Sequence, residues 1–462
     1  MENSENKISA FCIAGTSSGD GKTTVTLALL RALYRRGLAP QPFKCGPDYI
    51  DPSFHNIASK KRSRNLDCWM MGKQEVKTSF ASAVQNAGSA LVEGVMGLFD
   101  GANPVSLTGS TAETAALLEI PVILVVNCRG MAGSIAAIVK GYSEYCHDIK
   151  VIGVIANQTG SDAHAEILRE ALKASGMPPL LGCLPRNEKW KLPERYLGLL
   201  PFTENSKSEA WFDELADAAE KYIDIDRIME ISKITHPSVP VRKCPEISGR
   251  LAIADDEAFH FYYEDNLDIL RANGIELVKF SPLHDTALPA EIGGIYIGGG
   301  FPEVFAEQLE KNSDMRWAVK EFASGGGIVY AECGGYMYLS SSIRDNGREY
   351  EMCDLIPAKI RMGEKLRSLG YREVRSLSDT FLGPSGTLIR GHEFHWSAEE
   401  FDNKPQALWL ASDANKKAPA YECGYHNGNI CASYIHLHWA SCPEAAANFA
   451  EAIIKQYPIG RK

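Results

Sequence analysis

The residues best suited to do chemistry fall into two groups, far apart in the chain. The first is built on Cys333, in the stretch YAECGGY (330–336), with His436 and His438 further on in SYIHLHW (433–439). A thiol becomes a nucleophile at neutral pH only beside a base or in a field that favours thiolate. The apolar run GIVYA (327–331) reads as a buried strand, and residues 336–340 can start a helix. Strand, sharp turn, nucleophile, helix is the layout of a nucleophile elbow. Gly334 and Gly335 would let a substrate carbonyl approach the backbone. For a lone cysteine the ordinary reading is inert burial. The flanking glycines and the distant histidines favour a nucleophile. SYIHLHW alternates, so His436 and His438 face one side of a strand or its exit, and either could be the base. A glycine run ending the apolar segment 293–297 offers N–H groups for an oxyanion; Gly299, Gly300 and Gly334 are the candidates.

The second group handles phosphate. GTSSGDGKTT (15–24) follows the apolar run ISAFCIA (8–14), and helical spacing of Val25, Leu29 and Leu33 follows it. The strict GxxxxGK[ST] pattern wants a glycine where Thr16 stands, so the loop is a variant. Its chemistry survives: backbone N–H groups wrap a phosphate, Lys22 neutralises charge and the Thr23 hydroxyl can hold Mg2+. The expected ATP-binding residues are Gly15, Thr16, Gly19, Gly21, Lys22, Thr23 and Thr24. In KCGPDYIDPSFH (44–55), Asp48 is a candidate second metal ligand, although Asp beside Pro is equally ordinary turn chemistry. EGVMGLFDG (93–101) opens on Glu93 at the end of an apolar run. A carboxylate there is costly unless something such as a metal ion compensates it. Asp100 is placed to touch substrate, and Asn157 to read a base.

The elements that must position these groups alternate as in a parallel α/β sheet, with ligands at the strand carboxyl ends. Strand-like runs occupy 8–14, 41–44, 89–93, 121–127, 150–157 and 180–185, with helices at 111–118 and 134–142. The pattern stops between 203 and 248, where a charged helix (208–223) and a Pro- and Lys-containing stretch (236–245) read as a junction. A second α/β pattern follows: strand 250–255, helix 259–273, strands 275–280 and 293–297, the elbow, then β-rich segments at 371–376 and 388–397. The expected organisation is therefore a nucleotide domain (1–203), a linker (204–248) and a second α/β domain (249–462). A chain of 462 residues with 45% apolar and 23% charged residues fits two globular domains. The net charge of -10 argues against nucleic acid or anionic membrane as partner. Twelve scattered cysteines, no CxxC pair and no signal-peptide pattern predict reduced thiols in the cytoplasm. No apolar run approaches the ~20 residues of a membrane helix.

Together GTSSGDGKTT, KCGPDYIDPSFH, EGVMGLFDG, YAECGG and SYIHLHW resemble the cobyrinate a,c-diamide synthase family nearly end to end. Members acting on hydrogenobyrinate and Ni-sirohydrochlorin are related, and the N-terminal half also looks like dethiobiotin synthetase. The resemblance implies a P-loop NTPase-type amide-ligase domain joined to a class I glutamine amidotransferase domain. It implies that Cys333 attacks glutamine's side-chain amide and that His436, rather than His438, activates it. Many class I glutaminases carry a Glu two residues after that His; here the position is His438, so a Cys–His dyad is implied. It places Thr23, Asp48 and Glu93 around Mg2+, and Asp48, Asp51 and Asp100 near a polycarboxylate corrinoid acceptor. Lys44 and Arg129 are our expectation for charge complementarity to that acceptor. The partners implied are ATP, L-glutamine and the acceptor, and likeness to dethiobiotin synthetase admits a homodimer. The alternatives are Ni-sirohydrochlorin or hydrogenobyrinate as acceptor or, in a different class, a ParA-like regulatory ATPase.

Overall fold

The apolar runs of the first half become the strands of one sheet. In the computed structural model, which describes residues 7–192, 209–239, 246–415 and 418–459, the chain divides into two compact units, Met1–Val241 and Arg242–Lys462. In the first unit the strands are β1 (Lys7–Gly15), β2 (Pro40–Cys45), β3 (Arg64–Leu66), β4 (Ser89–Gly97), β5 (Val122–Asn127), β6 (Val151–Thr159) and β7 (Leu180–Pro185). Their order is β3-β2-β4-β1-β5-β6-β7, all parallel. Strands buried on both faces read as continuous apolar runs, which is why they were legible. Helix α1 (Lys22–Arg35) follows the glycine-rich loop, and α2 (Ile50–Ser59) follows the loop after β2.

Between residues 209 and 235 the structure departs from the expected linker. Helix Glu209–Tyr222 buries Trp211, Phe212, Leu215 and Ala219 in the cluster that holds Leu29 and Leu33 of α1. Its acidic side meets α1's basic side: Arg31 pairs with Glu209 at 2.7 Å and Asp213 at 2.8 Å, and Arg35 with Asp217 at 2.7 Å. After a short helix, Ile225–Ile231, the strand β8 (Lys233–Thr235) runs antiparallel to the start of β1. The charged composition that suggested a junction is thus the solvent side of a packed helix. Residues 204–208 and 240–245 of that expected linker lie outside the described residues.

In the second unit, parallel strands stand in the order Ile275–Phe280, Gly249–Ala254, Gly294–Ile297, Ile328–Glu332, Ile430–Ser433, with Tyr425–Asn427 antiparallel at one edge. A five-stranded antiparallel sheet contains Ser368–Ser376 paired with Leu388–His395, which pairs with His436–His438. The helix expected at 259–273 is shorter. Phe259–Phe261 is a strand paired with Gly299–Gly300, and the helix is Glu264–Ala272. An aromatic run suits extended backbone, and Tyr263 is extended ahead of the acidic first turn. The three glycines after Gly294–Ile297 lead into a short connection, and the next helix is Ala306–Lys311.

Candidate functional site

In the second unit, Cys333 follows strand Ile328–Glu332 and precedes helix Gly334–Leu339. Its backbone has φ 49 and ψ -104, a conformation that a side chain rarely adopts. Parallel pairing on both sides of its strand fixes that strain, and Cys333 N–H donates to Ser433 C=O at 2.8 Å. Close approach explains the glycines. A Cβ on Gly334 would come 2.9 Å from Gly300 N, and one on Gly299 would come 2.4 Å from His436 Cε1. Cys333, His436, Gly299, Gly300 and Gly334 are therefore brought together.

His436 is buried and hydrogen-bonds the Cys333 thiol. Burial pulls its pKa down, but Cys333 and then Glu332 pull harder the other way, and the ring ends at about 9. Glu332, which the sequence reading left as a flanking residue, is fully buried. Its Oε1 accepts from Tyr330 O–H at 2.6 Å and Leu437 N–H at 3.0 Å, and its Oε2 from Tyr296 O–H at 2.9 Å. Oε2 also lies 3.7 Å from His436 Nδ1. The signal was available: GIVYAE ends an apolar run in a carboxylate, just as SALVE does at Glu93. His438 is buried against Tyr263, ring centroids 4.9 Å apart, and neither ring nitrogen has a polar partner among the described residues. Burial pushes its pKa to about 3, so it is neutral at physiological pH.

In the first unit the loop between β1 and α1 carries the phosphate-type motif. Gly19 and Gly21 have φ 85 and 96, which only glycine adopts freely. A Cβ on Gly21 would meet Asn157 Nδ2 at 2.0 Å. Thr16, in the place of the motif's glycine, has a use: its N–H and hydroxyl both donate to Asp20 Oδ2, at 2.7 and 2.5 Å, and tie the loop. Lys22 donates to Ser17 C=O at 3.0 Å. Asn157, expected to read a base, gives an N–H to Asp20 C=O at 2.8 Å and braces the loop.

Glu93 lies midway along β4, at the last residue of that strand paired with β2, and is fully buried. Its Oε1 accepts from Thr23 O–H at 2.7 Å and Lys44 Nζ at 2.9 Å, and its Oε2 faces His55 Nε2 at 2.7 Å. Burial would raise its pKa, but Lys44 and His55 hold it well below the ordinary range. Lys44 also pairs with Asp51 at 2.6 Å and Gly94 C=O at 3.1 Å. Its three donors are spent and it is buried, so it serves the carboxylates of its own unit. That corrects the expectation that Lys44 reaches acceptor carboxylates. Burial opposes its charge, yet Asp51 and Glu93 hold it a cation. Asp48 Oδ1 accepts from Ile50 N–H at 2.8 Å at the start of α2, and Asp100 Oδ2 from Gly97 N–H at 2.9 Å. Arg129 is exposed on the loop after β5.

Oxygen donors from Thr23 and Glu93, side by side at the phosphate loop, fit a hard cation such as Mg2+. The described residues hold no group of three or more His, Cys, Asp or Glu arranged to bind a metal alone. No helix among the described residues is long and apolar enough to cross a membrane.

Comparison with known proteins covers both units. A CobQ/CobB/MinD/ParA nucleotide binding domain matches residues 11–199, and a CobB/CobQ-like glutamine amidotransferase domain matches residues 250–443. A cobyrinate a,c-diamide synthase of Syntrophotalea carbinolica is 47% identical over 95% of this chain and 97% of its own. Proteins of the same name from Dehalococcoides mccartyi and Priestia megaterium are 44% and 41% identical, each over 95% of this chain and 96% of their own.

Proposed function

The chain belongs to the cobyrinate a,c-diamide synthase family of ligases, and from that premise we propose that it amidates the a and c carboxylates of cobyrinate in cobalamin biosynthesis, using ATP and glutamine. What supports this reading is that one chain carries both the Cys333–His436 pair and the glycine-rich loop with Thr23 on Glu93, and that its relatives match it over 95% of its length. A free carboxylate is a poor electrophile, so ATP first phosphorylates it and ammonia then displaces phosphate from the acyl phosphate. In the first unit, backbone N–H groups of the loop from Gly15 to Thr24 cradle the phosphates and Lys22 neutralises their charge. Thr23 and Glu93, with Asp48 nearby, would hold Mg2+, which when bound offsets charge on the transferring phosphoryl group. Lys44 and His55 hold Glu93 in place. Asp51, Asp100 and exposed Arg129 are the residues proposed to meet the acceptor.

In the second unit Cys333 gives its proton to His436, and the thiolate adds to the side-chain amide carbon of glutamine. Gly299, Gly300 and Gly334 supply N–H groups toward the oxyanion. His436 returns the proton to the leaving nitrogen, ammonia departs, and water hydrolyses the glutamyl thioester to glutamate. Each acceptor receives two amides, at the cost of two glutamines and two ATP.

The test is mass spectrometry of products from purified enzyme with ATP, Mg2+ and glutamine, offering cobyrinate, hydrogenobyrinate and Ni-sirohydrochlorin in parallel. Diamide from cobyrinate alone is the expected result. Turnover of only the nickel or metal-free ring would keep the mechanism and change the acceptor. ATP hydrolysis with no acceptor amidated would overturn the reading in favour of a regulatory ATPase.

A further inference from the structure

A thiol–imidazole pair works best when a third group fixes the imidazole's orientation and answers the positive charge it gains. On the strand His436–His438 no such group is available. His438, two residues after the base, is buried, neutral and turned onto Tyr263. The groups facing His436 from the surrounding elements are few. Cys333 and Glu332 come from the elbow, and His392 from the paired strand Leu388–His395. His392 is itself driven to about 3 by burial, so it brings no charge. Gly299 offers backbone only. Glu332 is therefore the anion that faces the ring, 3.7 Å from Nδ1.

The setting of Glu332 is built for that one task. Tyr330, Tyr296 and the Leu437 N–H hold both its oxygens with neutral donors. Its neighbour in sequence is the nucleophile, so the strained turn that aims Cys333 also fixes the carboxylate behind it. We propose that Glu332 is the positioning residue of this site, the third member of a Cys333–His436–Glu332 relay in which the carboxylate comes from the residue before the nucleophile. It holds Nδ1 protonated, leaves Nε2 to take the Cys333 proton, and stabilises the imidazolium while the thiolate attacks. At 3.7 Å the contact is an ion pair; contacts of this kind tighten when substrate binds. The inference rests on the amidotransferase reading of the second unit.

The test uses the full chain and the isosteric Glu332→Gln. Two quantities are read: glutamate release from glutamine, and the pH dependence of Cys333 alkylation by iodoacetamide. Without the carboxylate, imidazolium and thiolate are both less favoured. The expected result is a kcat about ten- to a hundredfold lower with glutamine KM nearly unchanged. The alkaline limb of the pH–rate profile should move to lower pH, and the alkylation midpoint to higher pH. A purely structural role would lower thermal stability without moving either pH profile. An unshifted alkylation profile, with kcat within twofold of the parent, overturns the proposal. If Glu332→Gln does not fold, Glu332→Asp decides it by the same alkylation profile: a shift supports the role and no shift sinks it. Should the parent enzyme release no glutamate at all, the amidotransferase reading fails, while alkylation still decides whether Glu332 controls the thiol.

Discussion

Each unit buries a glutamate on a central parallel strand, and each of the two faces a histidine. Glu93 and Glu332 nonetheless sit in opposite electrical settings. Glu93 is compensated by a full positive charge, Lys44, with Thr23 and His55 beside it. Glu332 is compensated by two phenols and a peptide N–H, all neutral. A buried carboxylate with a standing counter-ion is already balanced, and it suits a site that must gather phosphates and a metal ion. A buried carboxylate whose hydrogen-bond donors are all neutral leaves its field to the imidazolium of His436 beside it. The two units thus place the same residue type on a central strand of a parallel sheet and set it against different cations, a directly bonded lysine in one and the imidazole of His436 in the other.

That comparison can be broken at several points. Cys333→Ser should abolish glutamine-dependent amidation, by about a thousandfold or more. Activity with added ammonium salt should survive, since the first unit is untouched; loss of both would mean the units are not chemically separable. Lys44→Met should leave Glu93 and Asp51 as uncompensated buried charge and destabilise the first unit by about 3–5 kcal/mol. Urea unfolding measures this, and adding Glu93→Gln should recover part of the loss.

The pH dependence should also differ between the two. Glu93's pKa is depressed in the native state, so its stabilisation is present at neutral pH and is lost as pH falls below the ordinary glutamate range. His436 is the reverse: raised from 6.5 to about 9, it stabilises fully below 6.5 and loses that contribution as pH rises through about 9. Thermal melts of the parent against Glu93→Gln and His436→Asn, from acid to alkaline pH, should converge at opposite ends of the scale. Tyr330→Phe and Tyr296→Phe should each cost about 1 kcal/mol and lower glutaminase kcat severalfold, without touching ATP hydrolysis. The smallest expected effect is Thr16→Gly. It restores the strict loop pattern and removes the hydroxyl bond to Asp20 while keeping the backbone one, and should raise nucleotide KM by about twofold, about 1 kcal/mol or less.

The sequence made the parallel sheets legible because strands buried on both faces leave unbroken apolar runs, as at 121–127 and 150–157. It also exposed the elbow and the phosphate loop, since both depend on glycines at fixed offsets. It misled where composition imitated something else. Helix Glu209–Tyr222 carries acidic residues because it pairs with Arg31 and Arg35 of α1 and with Arg36 just after it, and those charges read as a linker. Lys44 looked available to a substrate because its carboxylate partners sit on other elements, Asp51 on α2 and Glu93 on β4. Glu332 was in plain view, yet its role depends on where Tyr296 and His436 fall, which only tertiary pairing determines. Asn157 was assigned to a base because it ends a strand; the fold turns its amide inward onto Asp20.

The strand β8 has a consequence for how the protein is made. It lies against Lys7–Ser9, and Ser9 also donates from its hydroxyl to Met229 C=O at 2.6 Å. β1, made before the other strands of its sheet, therefore waits for one of the last pieces of its own unit. Such distant pairings close slowly, because the chain entropy must be spent before the contact forms. A chain truncated and released at residue 203 is expected to remain open to proteases along that flank of β1. One released at residue 241 should be resistant, because β8 is then free to pair with β1.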